Sequence, residues 1–532
     1  MNNFYKRIIL AYALAVIMLF ICVLRVTAIA IEPKYAKAAQ SESLRTVTLN
    51  FSRGTIFDCN MTRITNQKNV IYAVIFGLPT AIAELSNHFS AAKTEEILAE
   101  IRAKGFAVRV VDKKITANGI YCFSGFSHAD DSLIAKHTIG YLDSSGKGAC
   151  GLEAAFDSLL SGGENTITFS LNGQGGMLVG EQPQVNYNYL KEFSGVKITL
   201  NTKIQQIAEQ AAMSINTGAL IITEVGTGKI RAMVSRPDFK LSNLQAALEN
   251  TEKPLLNRTL YTYNIGSVFK PFVAAAGYER GLAYTTTCVG NTLVDGLRFT
   301  CHKVSGHGSV DITNALKFSC NCFFYEYIQK LGAQDVLTIA QKAGFNGSVY
   351  LAQGLSAKAG SLGNTETLKN SNRALANFTI GQGELLLSPL AITNFYMAVA
   401  NGGEYRAPSL VEGIVENGKL TKTESLSAAI RVLSENTANA LKNNLSKVLL
   451  EGGTGQAAAP TLTTAAGKTG TAQTGIVKNG KKVTNSWFCG FFPLEEPRYA
   501  VTILWENSAG GVSSVFAEIA DNITKYEQNN NY

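Results

Sequence analysis

The chain has 532 residues, of which 46% are hydrophobic and 17% charged, a composition typical of a folded protein with two or three domains. Its net charge of +8 is mild and comes without a polybasic run, which argues against a nucleic-acid partner. Nine cysteines are too few for a disulfide scaffold, so we expect most of them to be small buried hydrophobes.

The N-terminal segment has the length and composition of a membrane anchor. Apart from Arg25, residues 8–31 carry no charge, and the run is long enough to cross a bilayer. Two basic residues precede it, which predicts a cytoplasmic tail at 1–7, an anchor at 8–31 and an exported remainder. A cleaved signal peptide is the alternative, because Ala28-Ile29-Ala30 resembles a small-residue cleavage site.

Residues 32–195 are predicted to form a non-catalytic α+β module. Helical periodicity follows Pro79 over 81–89 and recurs over 93–101, and strand-like alternation runs through 106–111. The histidines of this region stand singly, so we expect surface or hydrogen-bonded side chains rather than metal ligands at His88, His128 and His137.

Residues 196–526 are predicted to form a second domain, followed by a disordered tail at 527–532. Residues 353–372 are polar and rich in turn-forming residues, which indicates a surface loop. The predicted strands lie at 196–200, 218–223, 230–235, 487–492 and 499–505, and the predicted helices at 203–215, 323–331 and 512–523.

A serine and a lysine three positions apart are the first candidates for chemistry. Ser267 and Lys270 would lie on the same side of one helical turn, and a serine hydroxyl attacks only when a neighbouring base takes its proton. Gly266 permits a sharp entry into the helix, and Pro271 belongs in a first turn. We therefore expect Ser267 at a helix N-terminus, where free N–H groups favour developing negative charge.

Two further short motifs follow, each at the boundary of a predicted element. They are Ser319-x-Asn321 and Lys468-Thr469-Gly470. Each alone has a simpler explanation, because Ser and Asn often cap helices and Lys-Thr-Gly can be an exposed strand end. Together with Ser267-x-x-Lys270 they match the set that marks penicillin-binding proteins and class A β-lactamases, in which the middle motif is Ser-Asp-Asn.

On these motifs the chain resembles a class B penicillin-binding protein, a peptidoglycan D,D-transpeptidase, along nearly its whole length. Arg53-Gly54-x-Ile56-x-Asp58 is similar to the family's membrane-proximal signature, although Cys59-Asn60-Met61 departs from the usual basic residue, Asn and Gly. Further matches are Gly151-Leu152-Glu153, Gly381-Gln382-Gly383, Ser388-Pro389, Ala400-Asn401-Gly402-Gly403 and Trp487-Phe488-x-Gly490-Phe491.

The resemblance implies an α+β multidomain fold. Its parts would be a transmembrane helix, a dimerisation or pedestal-like module, and a transpeptidase domain whose antiparallel sheet is flanked by helices. We find no candidate motif for the glycosyltransferase domain of class A members.

The resemblance also implies a catalytic role for four residues. Ser267 Oγ would attack the carbonyl between two terminal D-alanines of a stem peptide, and neutral Lys270 would accept its proton. Ser319 would relay a proton to the leaving D-alanine, while Asn321 would position the substrate amide. An amine on a neighbouring stem peptide would then resolve the acyl-enzyme, and no metal, cofactor or nucleotide is expected.

Substrate binding is assigned by the same resemblance to the strand that carries Lys-Thr-Gly. Lys468, counted with the catalytic residues, and Thr469 would hold the terminal carboxylate, with Gly470 and Thr471 beside them. The N–H groups of Ser267 and Thr471 would form the oxyanion hole, usually the largest single catalytic contribution. A β-lactam mimics the substrate and would stall the enzyme at the acyl stage.

The expected partners are stem peptides ending in D-Ala-D-Ala, β-lactam antibiotics and a membrane glycosyltransferase of cell-wall synthesis. The expected location is the cell membrane, with the N-terminus cytoplasmic and the catalytic domain outside. The resemblance leaves open a role in elongation, division or sporulation.

Three alternative functions remain. A D,D-carboxypeptidase or β-lactamase would use water as the acceptor, but the long N-terminal module and the anchor disfavour both. A β-lactam sensor would need additional membrane spans or a cytoplasmic effector, and the seven residues before Ile8 leave no room for an effector. A structural partner would recruit other proteins through residues 40–195.

A group of cysteines and histidines invites a different interpretation. Cys288, Cys301, His302 and His307 lie within twenty residues, and such a set can bind zinc. The spacing fits no common zinc pattern, so we expect unpaired thiols and no metal. A Cys288–Cys301 disulfide is the alternative, because the domain is expected outside the membrane.

Overall fold

The computed structural model describes residues 2–32, 34, 43–172, 178, 183–187, 193–478 and 480–530. Helices and strands are mixed in two compact units, which confirms the predicted α+β multidomain class. The first unit comprises residues 1–52, 68–127 and 162–189, and the second comprises 53–67, 128–161 and 190–532. The units interleave along the chain, whereas the predicted domains are continuous, so the boundary at 195–196 stays a prediction.

The N-terminal helix, Asn2–Ile31, is long and apolar enough to cross a membrane. It contains the whole predicted anchor and extends through the two basic residues that precede it. All the hydrogen bonds of a helical backbone are made within the segment, as a span through lipid requires.

The first unit has a three-stranded antiparallel sheet with helices against one face. Its middle strand, Lys68–Phe76, alternates between two cores: Ala73 and Ile75 pack with the helices, whereas Phe76 packs edge-on against Phe169. The sheet order is Phe106–Val111, Lys68–Phe76 and Ile120–Ser127, the helices are Pro79–His88 and Ala91–Lys104, and a second sheet joins Leu44–Arg53, Ser161–Ser170 and Gln184–Asn186.

The second unit contains most of the remaining elements. Its helices are Lys136–Ile139, Gly151–Ala155, Asp157–Leu160, Thr202–Ala211, Leu244–Glu249, Lys270–Glu279, Ile312–Lys317, Asn321–Leu331, Ala333–Lys342, Thr365–Asn370, Asn372–Thr379, Pro389–Ala400, Glu435–Lys447 and Val512–Asn530. Its short strands are Thr55–Phe57, Gly195–Ile198, Thr285–Cys288, Asn291–Val294, Leu297–Thr300, Gly308–Asp311, Ser348–Ala352, Leu355–Lys358, Gly360–Ser361, Leu386–Leu387, Glu404–Arg406, Val411–Glu416, Lys419–Thr423 and Ala429–Arg431.

A five-stranded antiparallel sheet, here called the central sheet, organises the second unit. Its order is Ile230–Arg236, Gly218–Glu224, Tyr499–Trp505, Lys481–Phe492 and Ala466–Lys478. The first four strands contain the strands predicted at 218–223, 230–235, 487–492 and 499–505. The fifth, Ala466–Lys478, lies at the edge and is called the edge strand; it begins with the Lys-Thr-Gly motif.

Helices cover both faces of the central sheet. Phe488 packs against Phe516 of the last helix at a ring-centroid distance of 4.4 Å, and it is paired with Ile503. Thr502, next to Ile503 and therefore on the opposite face, hydrogen bonds to Thr393 of the buried helix Pro389–Ala400. This arrangement agrees with the expected antiparallel sheet flanked by helices.

Two sequence predictions are wrong for the end of the chain and for the predicted loop. The last helix continues to Asn530, so the predicted disordered tail is wrong for 527–530, and residues 531–532 lie outside the described part of the chain. Tertiary contacts hold this end of the helix, because the Glu527 carboxylate accepts hydrogen bonds from Tyr499 and Arg498.

The surface loop predicted at 353–372 is also wrong in part. These residues contain two short strands and the helix Thr365–Asn370.

Two motifs about a hundred positions apart meet in a buried ion-pair network. Arg53 donates to Glu153 at 2.6 Å and to Asp157 at 2.8 Å, and His128 Nε2 lies 2.7 Å from the other Glu153 oxygen. Burial alone would raise the pKa of Glu153, but His128 and Arg53 outweigh it and lower that pKa. His128 is therefore a hydrogen-bonded residue, as expected. The motifs that contain Arg53 and Glu153 have a structural role, because their side chains form this buried network.

Candidate active site

Ser267 lies in a single 3₁₀ turn, Gly266–Phe269, that leads directly into the helix Lys270–Glu279. Gly266 has a φ of +62°, and Pro271 lies in the first turn of the helix, as predicted. We call the 3₁₀ turn the serine turn. Its position leaves the Ser267 side chain partly exposed, while Val268 and Phe269 are buried in the core.

Close backbone packing fixes the serine turn from two sides. The Gly266 N–H donates to the Gly381 carbonyl at 2.9 Å, and a Cβ on Gly381 would collide with the Gly266 carbonyl. A Cβ on Gly266 would lie 2.5 Å from the Thr471 carbonyl of the edge strand. The glycine-rich matches in the sequence therefore include positions where no side chain fits beside Ser267.

The Lys270 ammonium joins the helix Lys270–Glu279 to the second motif. It donates to the Ser319 carbonyl at 2.6 Å, to Ser319 Oγ at 3.1 Å and to Asn321 Oδ1 at 2.6 Å. These hydrogen bonds go to the second motif rather than to Ser267. The structure thus brings together Lys270, Ser319 and Asn321 as the sequence predicted, with Ser267 three positions before the lysine.

The second motif has an uncommon backbone conformation. Ser319 has a φ of +54°, in the left-handed region that a residue with a Cβ rarely adopts. Such a conformation costs about 1–3 kcal/mol and persists only where neighbouring interactions hold it, often at functional sites. Asn321 is the first residue of the helix Asn321–Leu331, which orients its side chain toward Lys270.

The third motif opens the edge strand of the central sheet. Lys468 is fully buried, and its ammonium donates to the Thr469 carbonyl at 3.1 Å. Gly470 pairs with Trp487, whose indole N–H donates to the Asn264 carbonyl ahead of the serine turn at 3.1 Å. A Cβ on Gly470 would lie 3.0 Å from the Ile265 carbonyl, so this strand packs against the serine turn.

One hydroxyl beside the third motif was not found from the sequence. Thr469 Oγ1 donates to Thr454 Oγ1 at 3.0 Å, and the Thr454 N–H donates to the Lys317 carbonyl. Thr454 lies in a Gly-Gly-Thr-Gly turn, which looks like an ordinary loop in the sequence. Its contact with Thr469 depends on tertiary structure that no local pattern reveals.

Burial shifts both lysines toward their neutral forms. Burial lowers the pKa of Lys270 to about 8, although neighbouring cysteines oppose the shift. Burial and the charge of Lys270 lower the pKa of Lys468 well below its usual range. A neutral amine accepts a proton, so these shifts favour base chemistry at Lys270. Because the pKa of Lys468 is lowered, its ammonium form needs a nearby anion to be stable.

The cysteines near the second motif form a cluster that the sequence predicted only in part. Cys288, Cys301, His307 and Cys320 place their ligand atoms within 4.8 Å of one another. Cys288 and Cys301 are unpaired thiols, as expected, and Cys320, inside the Ser319-x-Asn321 motif, is brought to them by tertiary structure. His302 is absent from this set of four, although its Nδ1 lies 3.8 Å from Cys301 Sγ.

Comparison with known proteins identifies relatives of this chain. The family model described as "Penicillin binding protein transpeptidase domain" matches residues 218–525. Stage V sporulation protein D of Bacillus subtilis is 28% identical over 78% of this chain and 65% of its own length. Peptidoglycan D,D-transpeptidase MrdA of Acinetobacter baumannii is 24% identical over 71% of this chain and 60% of its own length.

The fold also matches a solved structure. Penicillin-binding protein 3 of Mycobacterium tuberculosis, complexed with aztreonam, superposes with a TM-score of 0.65 at 23% identity, covering 91% of this chain and 97% of that one. The chain spans less than two thirds of the length of the two curated relatives just named. The family match covers more than half of the chain. The chain therefore belongs to the penicillin-binding protein transpeptidase domain family.

Proposed function

We propose that this chain is a class B penicillin-binding protein, a serine D,D-transpeptidase that cross-links peptidoglycan stem peptides ending in D-Ala-D-Ala. One observation carries the proposal: fully buried Lys270 bonds to Ser319 and Asn321 and follows Ser267 by three positions. The edge strand with Lys468 packs against the same turn. This set of groups supplies a nucleophile, a base and a cation for a substrate carboxylate.

Acylation begins at Ser267. Its Oγ attacks the carbonyl carbon of the penultimate D-alanine, and its proton passes to the neutral Lys270 amine. The N–H groups of Ser267 and Thr471 stabilise the negative oxygen of the tetrahedral intermediate. As the C–N bond breaks, Ser319, bonded to Lys270, returns a proton to the departing D-alanine nitrogen. The ester on Ser267 is then the acyl-enzyme.

Substrate alignment falls to Asn321 and to the edge strand. The Asn321 amide, held by Lys270 through Oδ1, has its NH₂ group free to bind a substrate carbonyl. Lys468 and Thr469 bind the terminal carboxylate, which restores the charge that burial disfavours on Lys468. Because the strand Ala466–Lys478 lies at the sheet edge, it leaves one row of backbone groups, including those of Thr471, available for an extended peptide.

Deacylation completes the cross-link. An amine on a neighbouring stem peptide attacks the ester carbon and loses its proton to the lysine–serine pair. That pair passes the proton to Ser267 Oγ as the ester C–O bond breaks, which releases the enzyme. A β-lactam ring is opened by the same attack, but its amine leaving group stays tethered to the acyl-enzyme. We therefore propose that β-lactams acylate Ser267 and block the site.

We also propose that the N-terminal helix anchors the enzyme in the cell membrane. The two basic residues before the apolar run favour a cytoplasmic N-terminus, which would leave the catalytic domain outside. A membrane glycosyltransferase is the natural partner, because the strands to be cross-linked are polymerised at that surface. Fractionation, with protease access tested from each side, checks the orientation.

The test of function is the product formed from stem peptides. The purified chain is incubated with a donor ending in D-Ala-D-Ala and an acceptor that carries the free amine, and the products are separated by mass. A cross-linked dimer that disappears in Ser267→Ala supports the transpeptidase. A donor shortened by one residue, without dimer, establishes a carboxypeptidase instead.

A further inference from the structure

The cysteine cluster beside the second motif has the spacing of a tetrahedral metal site. Cys288 Sγ and Cys301 Sγ each lie 3.6 Å from His307 Nδ1. Bonds of about 2.3 Å to sulfur and about 2.0–2.1 Å to nitrogen around a tetrahedral ion give an S···N edge of about 3.6 Å and an S···S edge of about 3.8 Å. The whole set spans at most 4.8 Å, within about 1 Å of the larger edge.

Tight turns fix the backbone around the cluster. Gly290 and Gly306 have φ values of +93° and +81°, and a Cβ on either would collide with a backbone carbonyl, that of Val304 or of Cys288. The His307 N–H donates to the Cys288 carbonyl at 3.0 Å. The ligand atoms are therefore held by short constrained turns rather than by flexible loops.

The segment that supplies three of the four groups has little core of its own. Residues 285–311, here called the cysteine hairpins, consist of an outer pair of four-residue strands and an inner four-residue hairpin. Four of its large apolar side chains are exposed, namely Val289, Leu293, Leu297 and Val304. Two-stranded hairpins of this size are marginal in water, so small elements without a core usually need a metal or a disulfide.

The fourth group ties the cysteine hairpins to the candidate active site. Cys320 stands between Ser319 and Asn321 and is the N-cap residue of the helix Asn321–Leu331. A thiolate is favoured at a helix N-terminus, where N–H groups and the dipole stabilise negative charge. A metal bond at Cys320 would hold the left-handed conformation of Ser319, which has a φ of +54°.

We propose that Cys288, Cys301, His307 and Cys320 bind one Zn²⁺ ion, which fixes Ser319 and Asn321 for the reaction. Three thiolates and one imidazole in tetrahedral array are a common ligand set of structural zinc. All four positions come from the protein, so the ion stabilises the fold rather than activating water. Binding releases the three thiol protons to solvent. The zinc site stands independently, whereas its effect on acylation rests on the proposed function.

Metal content of the purified full-length chain tests the site directly. Elemental mass spectrometry after incubation with zinc and desalting is expected to give one zinc per chain. Cobalt in place of zinc is expected to show tetrahedral absorption with thiolate-to-metal charge transfer from three thiolates. Wild-type protein without stoichiometric zinc, or an octahedral cobalt spectrum, overturns the proposal.

Two matched pairs of variants test the ligand set. Cys320→Ser is expected to lower zinc affinity at least tenfold, whereas Cys322→Ser, two positions along the same helix and equally buried, keeps one zinc. His307→Asn is expected to weaken binding, whereas His302→Asn, also next to Cys301, does not. Loss of zinc in Cys322→Ser or His302→Asn, with retention in the partner variant, overturns the assignment.

Chelation separates the zinc proposal from the proposed function. Removal of zinc from the wild-type chain is expected to slow acylation by a fluorescent penicillin about tenfold or more, with recovery when zinc is restored. Unchanged acylation in the zinc-free protein overturns the positioning role. A zinc-loaded chain that never acylates contradicts the proposed function and leaves the metal site standing.

Discussion

Lys270 Nζ lies 2.6 Å from Asn321 Oδ1, and this hydrogen bond joins two helices whose N-termini meet at the candidate site. Lys270 belongs to the first short motif and Asn321 to the second, and the lysine is fully buried. Since a buried ammonium is costly unless it is paired, Asn321 and Ser319 hold the lysine in place without fixing its charge. The same residues can therefore hold a base that changes its protonation state during the reaction.

The first prediction concerns the nucleophile. Benzylpenicillin is expected to add one adduct to the intact wild-type chain and none to Ser267→Ala, because the ester forms on Ser267 Oγ. Intact-protein mass spectrometry measures both. Ser214→Ala, which removes the hydroxyl of an exposed serine, serves as the control and keeps the adduct. An equal adduct on Ser267→Ala would refute the assignment.

The second prediction is the pH dependence of acylation. Burial lowers the pKa of Lys270 to about 8, and only the neutral amine takes the serine proton. The acylation rate constant per unit β-lactam is therefore expected to rise about tenfold per pH unit below that value and to level off above it. Stopped-flow measurements between about pH 6 and about pH 9 give the profile. A flat profile over this range excludes Lys270 as the titrating base.

The third prediction uses two glycines of the Gly381-Gln382-Gly383 match. Both have positive φ, +72° and +77°, so alanine at either costs about 1–2 kcal/mol in the left-handed region. Only at Gly381 does the added Cβ collide with the serine turn; at Gly383 its nearest neighbour, Asn377 Cβ, is 4.0 Å away.

Gly381→Ala is expected to slow acylation about a hundredfold, since a displacement of about 1 Å can cost that much. Gly383→Ala is expected to lower only the thermal unfolding temperature. Acylation rates and thermal unfolding curves of both variants are the measurements. Equal loss of acylation in the two variants would show that backbone strain, and not the contact with Gly266, is responsible.

The fourth prediction concerns the buried ion-pair network. Glu153→Gln leaves the buried Arg53 charge short of a partner, which is expected to cost about 3–5 kcal/mol in the free energy of unfolding. Glu404→Gln is the control, because its pair with Arg431 has the same 2.6 Å separation but is exposed. It is expected to cost at most about 1 kcal/mol. Urea unfolding compares the two; similar midpoints contradict the structural role of Glu153.

The catalytic motifs and the central strands could be predicted because their signals are local. Ser267-x-x-Lys270, with Gly266 and Pro271 at its flanks, predicts its own turn and helix. Short, nearly continuous apolar runs mark the strands at 218–223 and 499–505. Contacts set by tertiary structure left no such signal. Cys320 joins residues thirteen or more positions away, and Glu527 is held by Tyr499, so the place of Cys320 in the cluster and the end of the last helix were both missed.

The last prediction separates the two buried lysines by replacing each with arginine, which effectively never loses its proton. Lys270→Arg removes the base, so acylation is expected to fall by about 10²–10⁴-fold. Lys468→Arg keeps a cation for the substrate carboxylate and is expected to retain a measurable fraction of the wild-type acylation rate.

Lys468→Arg is also expected to move the pH profile of acylation. A permanent charge beside Lys270 favours its neutral form, and the rise in rate therefore shifts below the pKa of about 8. Single-turnover acylation across pH gives both results. If Lys270→Arg acylates as fast as Lys468→Arg, some other group is the base; if the Lys468→Arg profile moves to higher pH, the two ammonium groups do not compete.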